Sequence, residues 1–399
     1  MALDMTTFDP FLKQLYTDKR IKNLVYTNNP LLAMMEKDEN FVGKNKPIPI
    51  TYGIPQGRSA TFANAQANVS NSQQSDFVLT RVKDYSIAEI DNETIEASKT
   101  DMGAFAEASA YEIDNAIKSL TRSLAISMYR NGSGSIGQIA NSSPTTALTL
   151  VNIEEITNFE IGQVLQLSTA DGGGSLKTGT TTVTAVNRTT GVVTVGTSVA
   201  TFTAAGAAND YIFVQGDYDL KVSGLDAWIP TTDPTSTLFF GVNRAVDTVR
   251  LGGVRSNGAG APVREAIIDG ARLLAREGGS PDKAFCNYTV WSNLEKDMSS
   301  SVQFVDLTVD GLVGFTGIRI NGPDGPIDVV PDRNCPTDRI YLLQMDTWKL
   351  NSLGKAPSIF KGDGLPYLRQ SGADGIEVRA YYYAQVGCNA PGWNAVITL

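Results

Sequence analysis

From Met102 to Arg130 the chain carries one uninterrupted helical pattern, and no other segment restricts its fold as strongly. Ala106, Ala110, Ile113, Ile117, Leu120, Leu124 and Met128 recur at steps of four and three, a single face at 3.6 residues per turn. Glu107, Asp114, Lys118 and Arg122 fall off that face, and Asp114 to Lys118 is a supportive i,i+4 pair. At 1.5 Å per residue the rod is roughly 40 Å long, and Asn131 with Gly132 supplies a left-handed C-cap. A coiled coil is the obvious rival. The repeat nevertheless stops after about three heptads and begins on alanines, so the spacing favours one helix lying along a sheet and other helices.

The segments before the rod are of another kind. "KPIPITYGI" reads as an extended strand whose two prolines favour an edge or a free-standing arm. "PQGRSATFANAQANVSNSQQS" is polar and built of small residues, with little to bury. "DFVLTRVKDYSIAEID" then returns in alternation through Phe77, Leu79, Val82, Tyr85, Ile87 and Ile90. Two arms around a polar tip of roughly 20 residues make a protruding hairpin, longer than the connections a compact domain normally uses. On a monomer such a tip is a liability, whereas over a neighbour it is ordered. Further upstream, Leu12, Leu15, Ile21, Leu24 and Val25 line one side of a short helix that Pro30 breaks or restarts. Lys13, Lys19, Arg20 and Lys22 make this arm the most basic part of the chain, either as a solvated helical face or against an acidic neighbour or a polyanion.

After the rod, residues 133–216 lose charge and gain Thr, Val and Gly. "QVLQLST", "TTVTAVN", "GVVTVGT" and "DYIFVQG" are short strands separated by "ADGGGS" and "NRTTG". They predict a small antiparallel barrel or sandwich, inserted because a mixed helix-and-strand style resumes behind it. In that later part Pro262 opens a helix carrying Val263, Ile267 and Leu274, two glycines stop it, and "NYTVWSNLEKDM" is a second helix. "SVQFVDL", "FTGIRING", "PIDVVPD", "DRIYLLQM" and "IEVRAYYYAQVGC" are strands. The pattern is α+β, without the regular alternation of a doubly wound sheet.

Composition narrows the function. At 399 residues two or three domains are expected. A formal charge of -9 with both signs interspersed argues against a protein whose main task is gripping nucleic acid. No run approaches the apolar length of a membrane span, and the N-terminal residues lack the order of a secretory signal. Cys286, Cys335 and Cys388 are far apart and odd in number, which fits a reducing interior and no disulfide framework. Histidine is absent altogether, which removes the usual acid/base and the commonest metal ligand.

The remaining constellations are weak. Gly132, Gly134 and Gly137 in "GSGSIG" match GxGxxG, but the motif needs a strand entering and a helix leaving, and here the order is reversed. Asp217, Asp219, Asp324, Asp328 and Asp363 are oxygen ligands in principle, none at calcium-loop spacing, and turn-capping is the expected role. Glu89, Asp91, Glu93 and Glu96 include carboxylate pairs with no companion cleft, and Cys286 is expected to be a small buried residue. Lys44 and Lys46 at the hairpin base, with Asn64, Asn68 and Asn71 at its tip, make an inter-subunit Lys–Asn amide bond conceivable only in a dry site beside a carboxylate. No catalytic, cofactor-binding or metal residues are assigned, no cofactor is expected, and the chain is not expected to be an enzyme.

In their order and wording these segments resemble the major capsid protein of tailed double-stranded DNA bacteriophages, the Hong Kong 97-like capsid family. "LKQLYTDKRIKNLVYTNNPLLAMMEK" is similar to the family's N-terminal arm, "KPIPITYG…FANAQAN…SDFVLTRVKDYSIAEIDNETIEAS" to its extended loop, and residues 102–130 to its spine helix. "VSGLDAWIP", "FCNYTVWSNLEKDM", "INGPDGPIDVVPDRNCPTDRIYLLQMDTWKL" and "GIEVRAYYYAQVGCNAPGWNAVITL" are similar to the axial and closing peripheral segments. The resemblance implies an N-terminal arm at 1–42, the extended loop with flanking peripheral strands at 43–98, and the spine helix at 99–147. It also implies an inserted β-domain at 148–216, an axial domain at 217–345, and closing strands at 346–399. It further implies pentamers and hexamers forming an icosahedral shell around packaged DNA, assembled in the host bacterial cytoplasm, with no membrane. Because residues 1–42 leave no room for the internal scaffold of some relatives, it implies a separate scaffolding protein, together with a portal. The β-domain is outside the minimal fold and is expected to face outward or brace neighbouring subunits. The alternatives are an encapsulin-type compartment shell and a soluble α+β enzyme. A tail or decoration protein is disfavoured by the rod and the length.

Overall fold

The computed structural model describes residues 25, 28–91, 93, 102–298, 304–309, 313–361, 368–369, 372 and 374–399. The basic residues of the arm, Lys13, Lys19, Arg20 and Lys22, and the candidates Glu96 and Asp363 lie outside them, as do the side chains of Ala106 and Ala110.

The longest strand, Gly375–Cys388, organises the first sheet. Ile376, Val378, Ala380, Tyr382 and Ala384 are buried on one face while Glu377, Arg379, Tyr381 and Tyr383 alternate onto the other, the period-two signature of a half-covered strand. Val82–Asp91 pairs antiparallel along it, Trp348–Ser352 continues the sheet, and Glu36–Asp38 adds a parallel edge. The rod, a helix over Met102–Ser127, lies on the buried face of this sheet. Ile113, Ile117, Leu120, Leu124 and Met128 enter the main core, so the predicted stripe meets a sheet and not a partner helix. Backbone bonds Tyr129 N to Ile126 O and Arg130 N to Ser127 O tighten its last turn, and Gly132 at φ +94 supplies the left-handed cap.

Asn45–Gly53 and Gln73–Thr80 form a two-stranded antiparallel hairpin with no third strand among the described residues, although Val78 N donates to the Phe240 carbonyl at 2.9 Å. Pro47 and Pro49 are tolerated because no strand among the described residues pairs with the outer edge of Asn45–Gly53. At its base Phe77 meets Trp228 at 4.9 Å between ring centroids, and Trp228 also meets Phe239 at 5.1 Å and Trp348 at 6.5 Å. Arg250 Nη1 donates to the Tyr52 carbonyl at 2.6 Å. The root is therefore rigidly seated.

The returning arm is not one strand, as its alternation predicted. It breaks at Arg81, whose Nη1 donates to the Phe41 carbonyl at 2.6 Å while the guanidinium sits over the Phe41 ring. Before the break Phe77 and Leu79 point inward. After it the inward set is Asp84, Ser86, Ala88 and Ile90, so Tyr85 and Ile87 face outward. A one-residue slip reverses the faces.

Residues 135–214 build a separate sheet in the order Ser135–Gln138, Tyr211–Val214, Val164–Ser168, Thr181–Asn187, Val192–Val195, Ala147–Thr149. Ala140 N donates to Thr149 O at 2.7 Å and Val151 N to Gln138 O at 2.9 Å, joining the first and last strands. The sheet is thus a closed six-stranded antiparallel barrel, which leaves no edge exposed. Its own core includes Leu148, Phe159, Leu165, Leu167, Val193 and Ile212. Its first strand precedes residue 148 and Ala147–Thr149 straddles it, so the all-β unit agrees with the composition shift from 133 but begins upstream of the boundary at 148 that the resemblance implied, within the segment read as "GSGSIG".

The third body is a seven-stranded mixed sheet. The central strands Lys283–Cys286 and Gly325–Pro331 run parallel, and Val254–Asn257 runs parallel to Ala395–Thr398. Val263–Arg276 and Tyr288–Met298 are its helices. Ala266, Ile267, Ala271 and Leu274 close one hydrophobic cluster against Val329, Leu342 and Ile397.

Candidate assembly surfaces

Of the chemical candidates that the sequence raised and the structure describes, some are tied up inside the fold and others, Lys44 and Asn71 among them, stand on the surface. Gly134 has φ +86, and a Cβ there would lie 2.5 Å from the Asp217 carbonyl, so the glycine serves a tight crossing of two chain segments. Ser133 Oγ donates to Asp171 at 2.6 Å, and Asp219 accepts from Gly173 N at 3.0 Å. A phosphate would meet carboxylates here. Asp324 is an exposed turn residue between two strands. Glu89, Asp91 and Glu93 are exposed with no cleft among the described residues. Burial pushes the Cys286 thiol up to about 12, which makes it inert at neutral pH. Lys46 is held by Asp38 at 2.5 Å, while Asn64 and Asn68 lie at the opposite end of the hairpin.

Asp328 is salt-bridged and not a free cation ligand. It lies between Lys283 Nζ and Arg319 Nε, each at 2.8 Å. Burial alone would raise its carboxyl pKa, but hydrogen bonds from Arg319 and Lys283 outweigh that and hold it below the usual range. Its stabilising contribution is therefore present above the unfolded value near 4 and is lost as pH falls through the lower folded value. Asp328→Asn is expected to cost about 1–2 kcal/mol at pH 7, because Lys283 and Arg319 remain open to solvent once their partner is neutral. In urea unfolding of the protomer, that difference from wild type should shrink steadily toward pH 2.

Sequence reasoning missed the junction where rod, barrel and closing strand meet. Lys221 Nζ, almost fully buried, contacts Asp84 Oδ2 at 2.5 Å, Ser123 Oγ at 2.9 Å and Asp217 Oδ2 at 3.0 Å. Tyr382 OH donates to the same Asp84 oxygen at 3.2 Å. Burial raises the Asp217 carboxyl, with Lys221 opposing it. Beside this cluster the outgoing and returning chains run together, with Asp219 N to Ser133 O at 2.7 Å and Gly224 N to Arg130 O at 2.9 Å. Arg122 to Glu160, at 2.6 Å, and Arg130 to Glu155 tie the rod to the barrel. A cleft of about 1000 Å³ remains between them, with Lys118, Arg122, Arg130 and Arg333 among its lining residues.

A second missed anchor holds the root of the arm. Asp332 Oδ2 accepts from Tyr129 OH at 2.9 Å and from Leu31 N at 3.4 Å, and Oδ1 accepts from Asn334 N at 2.9 Å. Burial raises its carboxyl pKa despite these bonds. Leu31, Leu32 and Met35, from the short helix that Pro30 starts, are buried in the main core.

What the fold leaves open is surface. No residue of the hairpin tip, 54–72, is buried, and Phe62, Ile54 and Val69 are 83%, 70% and 69% exposed. Large apolar side chains held out on a rigid stalk mark a contact surface. Among the described residues no helix is long and apolar enough to cross a membrane, and no cluster of three or more metal-ligating side chains occurs.

A rod on a largely antiparallel sheet, a mixed sheet beside it and a stalk bearing exposed apolar residues are the parts of a building block of the capsid-fold class. The capsid asymmetric unit of cyanophage A-1(L) has this fold, with a TM-score of 0.53 at 13% identity over 93% of this chain and 92% of that one. The capsid of a native GTA particle gives 0.46 at 8% identity over 92% and 89%. A chain of Mycobacterium phage Ogopogo gives 0.44 at 10% over 93% and 92%. The fold comparison rests on the first of these. No curated protein matches the chain. The model of the SU10 major capsid protein family matches residues 5–387, and the chain belongs to that family. It is a structural protein of the virion, and its copies assemble into an icosahedral shell.

Proposed function

We propose that the chain builds this shell as pentamers and hexamers closed around packaged double-stranded DNA, which it encloses without reading sequence. The observation that carries the reading is the hairpin, whose root is locked into the main core while its tip buries nothing of its own. Heterologous contacts of that kind close into finite particles when the rotation between copies is fixed. In this reading the Met102–Ser127 helix is the spine, the hairpin is the extended loop, and residues 1–42 are an arm that clasps a neighbour. Residues 43–98 carry the loop with its flanking strands, 217–345 the axial domain, and 346–399 the closing strands. A separate scaffolding protein and a portal complete assembly in the host cytoplasm.

Expression with and without its neighbouring genes, followed by electron microscopy, tests the reading. Icosahedral shells or isolated pentamers and hexamers are expected. A chain that stays monomeric even with its scaffold contradicts it, and particles filled with enzyme instead of DNA indicate a storage compartment.

The barrel is proposed as an outward-facing brace, inserted between hydrogen-bonded outgoing and returning segments. Its core cluster is separate from the main one. Replacing residues 135–216 with a short Gly/Ser linker is therefore expected to leave the remainder folded but to lower the temperature at which shells dissociate. Unchanged assembly yield, shell size and shell melting would remove the bracing role.

A further inference from the structure

The junction beside the cleft brings together the parts of a bond-forming site. Lys221 Nζ lies 2.5 Å from Asp84 Oδ2 and 3.0 Å from Asp217 Oδ2, and the three side chains are 7%, 14% and 23% exposed. Ser123 Oγ donates to the same Asp84 oxygen at 2.7 Å and Tyr382 OH at 3.2 Å, while Oδ1 accepts from Tyr85 N at 3.0 Å. An amine held against one carboxyl, with a second carboxyl in contact, supplies the nucleophile, the acceptor and the proton carrier of amide formation. Burial, helped by the Asp84 charge, raises the Asp217 carboxyl against the pull of Lys221, which suits it to carry a proton. The sequence raised this chemistry for Lys44 and Lys46, but Lys44 is exposed and Lys46, a quarter exposed, is paired with Asp38.

The barrel holds a pair that serves as a comparison. Lys177 Nζ is 2.6 Å from Asp210 Oδ2, and the two side chains are more deeply buried, at 7% and 2% exposed. The second contact of Lys177 is the Ala205 carbonyl, which carries no proton, and Asp210 Oδ2 also accepts from Ala207 N. Without a second carboxyl in contact among the described residues, this pair stays ionic.

We propose that Lys221 and Asp84 join in an amide bond within one chain, with Asp217 as the catalytic proton carrier. A proton passes within the ion pair, leaving a neutral amine and a neutral carboxyl. Nζ attacks Asp84 Cγ and the C–N bond forms, while Tyr85 N holds Oδ1 as negative charge develops there. Asp217 takes a proton from the nitrogen and returns it to the departing Oδ2 hydroxyl. The C–O bond breaks and one water leaves. Ammonium and carboxylate thus become amide and water, and no further reagent is needed. The ion pair is the newly folded state, and the bond follows from it. It closes residues 84–221, rod and barrel included, into one covalent ring. None of this depends on whether copies of the chain form a shell.

The intact mass of the full-length chain, denatured after incubation, reads the bond as the loss of one water. Trypsin should then release peptide 84–99 joined to peptide 189–244, uncut after Lys221. Lys221→Arg keeps the cation and Asp84→Ala removes the acceptor, and both should retain full mass. Asp217→Asn keeps the reacting pair and is expected to slow conversion at least about a hundredfold. Wild-type chain that holds its full mass after prolonged incubation contains a permanent ion pair, which overturns the proposal. A water loss that maps to Lys177 and Asp210, or to a cyclised aspartate, overturns it equally, as does an Asp217→Asn chain that converts as fast as wild type. The decisive reading is on the wild type, so a variant that fails to fold leaves the test in force.

Discussion

Replacing residues 54–72 with an Asn-Gly turn should leave a folded protomer that no longer forms shells. Gly53 and Gln73 are already opposite one another, so a two-residue turn can close the hairpin. The tip contributes no buried side chain, and its loss leaves Phe77, Trp228 and the main core in place. Shortening the loop also reduces the entropy of closing it by about 1–2 kcal/mol. Protomer stability should therefore stay the same or rise slightly in urea unfolding. Assembly should fall much further, because burying Phe62 alone is worth about 1.5–3 kcal/mol per contact and a shell repeats that contact in every subunit. Shell yield by sedimentation is expected to drop more than about tenfold. A variant that assembles normally would show that the exposed tip is incidental.

The second large effect is internal. Lys221→Ala should destabilise the protomer by about 3–5 kcal/mol at pH 7, because it leaves Asp84 and Asp217 facing each other with no cation between them. The pH dependence distinguishes this from simple loss of packing. Burial already raises the Asp217 carboxyl and Lys221 opposes the rise, so removing Lys221 moves it further up. A carboxyl with a raised folded pKa gives its stability at low pH and loses it as pH climbs through the folded value. The variant's deficit in urea unfolding should therefore be smaller at pH 5 than at pH 7. An equal deficit at both would point to packing alone.

These two sites differ in how far the sequence discloses them. The hairpin was legible because its polar tip and paired prolines are local signals, and the rod because its stripe repeats without interruption over Ile113 to Met128. The outward turn of Tyr85 and Ile87 was not. Tyr85 and Ile87 keep the parity of Phe77 and Leu79 while Val82 and Ile90 take the other, so the alternation alone points both ways, and the grip of Arg81 on Phe41, forty residues away, decides where the slip falls. The barrel's first strand was hidden because Ser135–Gln138 lies inside a glycine motif, and its partner Tyr211–Val214 is remote in sequence. Lys221 and Asp84 are separated by 137 positions, and neither belongs to a motif. Asp332 was equally silent, since a buried carboxylate beneath a short helix has no periodic signature.

The most direct test of the central claim is a reconstruction of the assembled shell by electron cryomicroscopy, read at residues 54–72. The account predicts that each tip lies over an adjacent subunit, with Phe62 covered by that neighbour. A closed shell in which every tip folds back on its own chain, or projects uncovered into solvent, would contradict it.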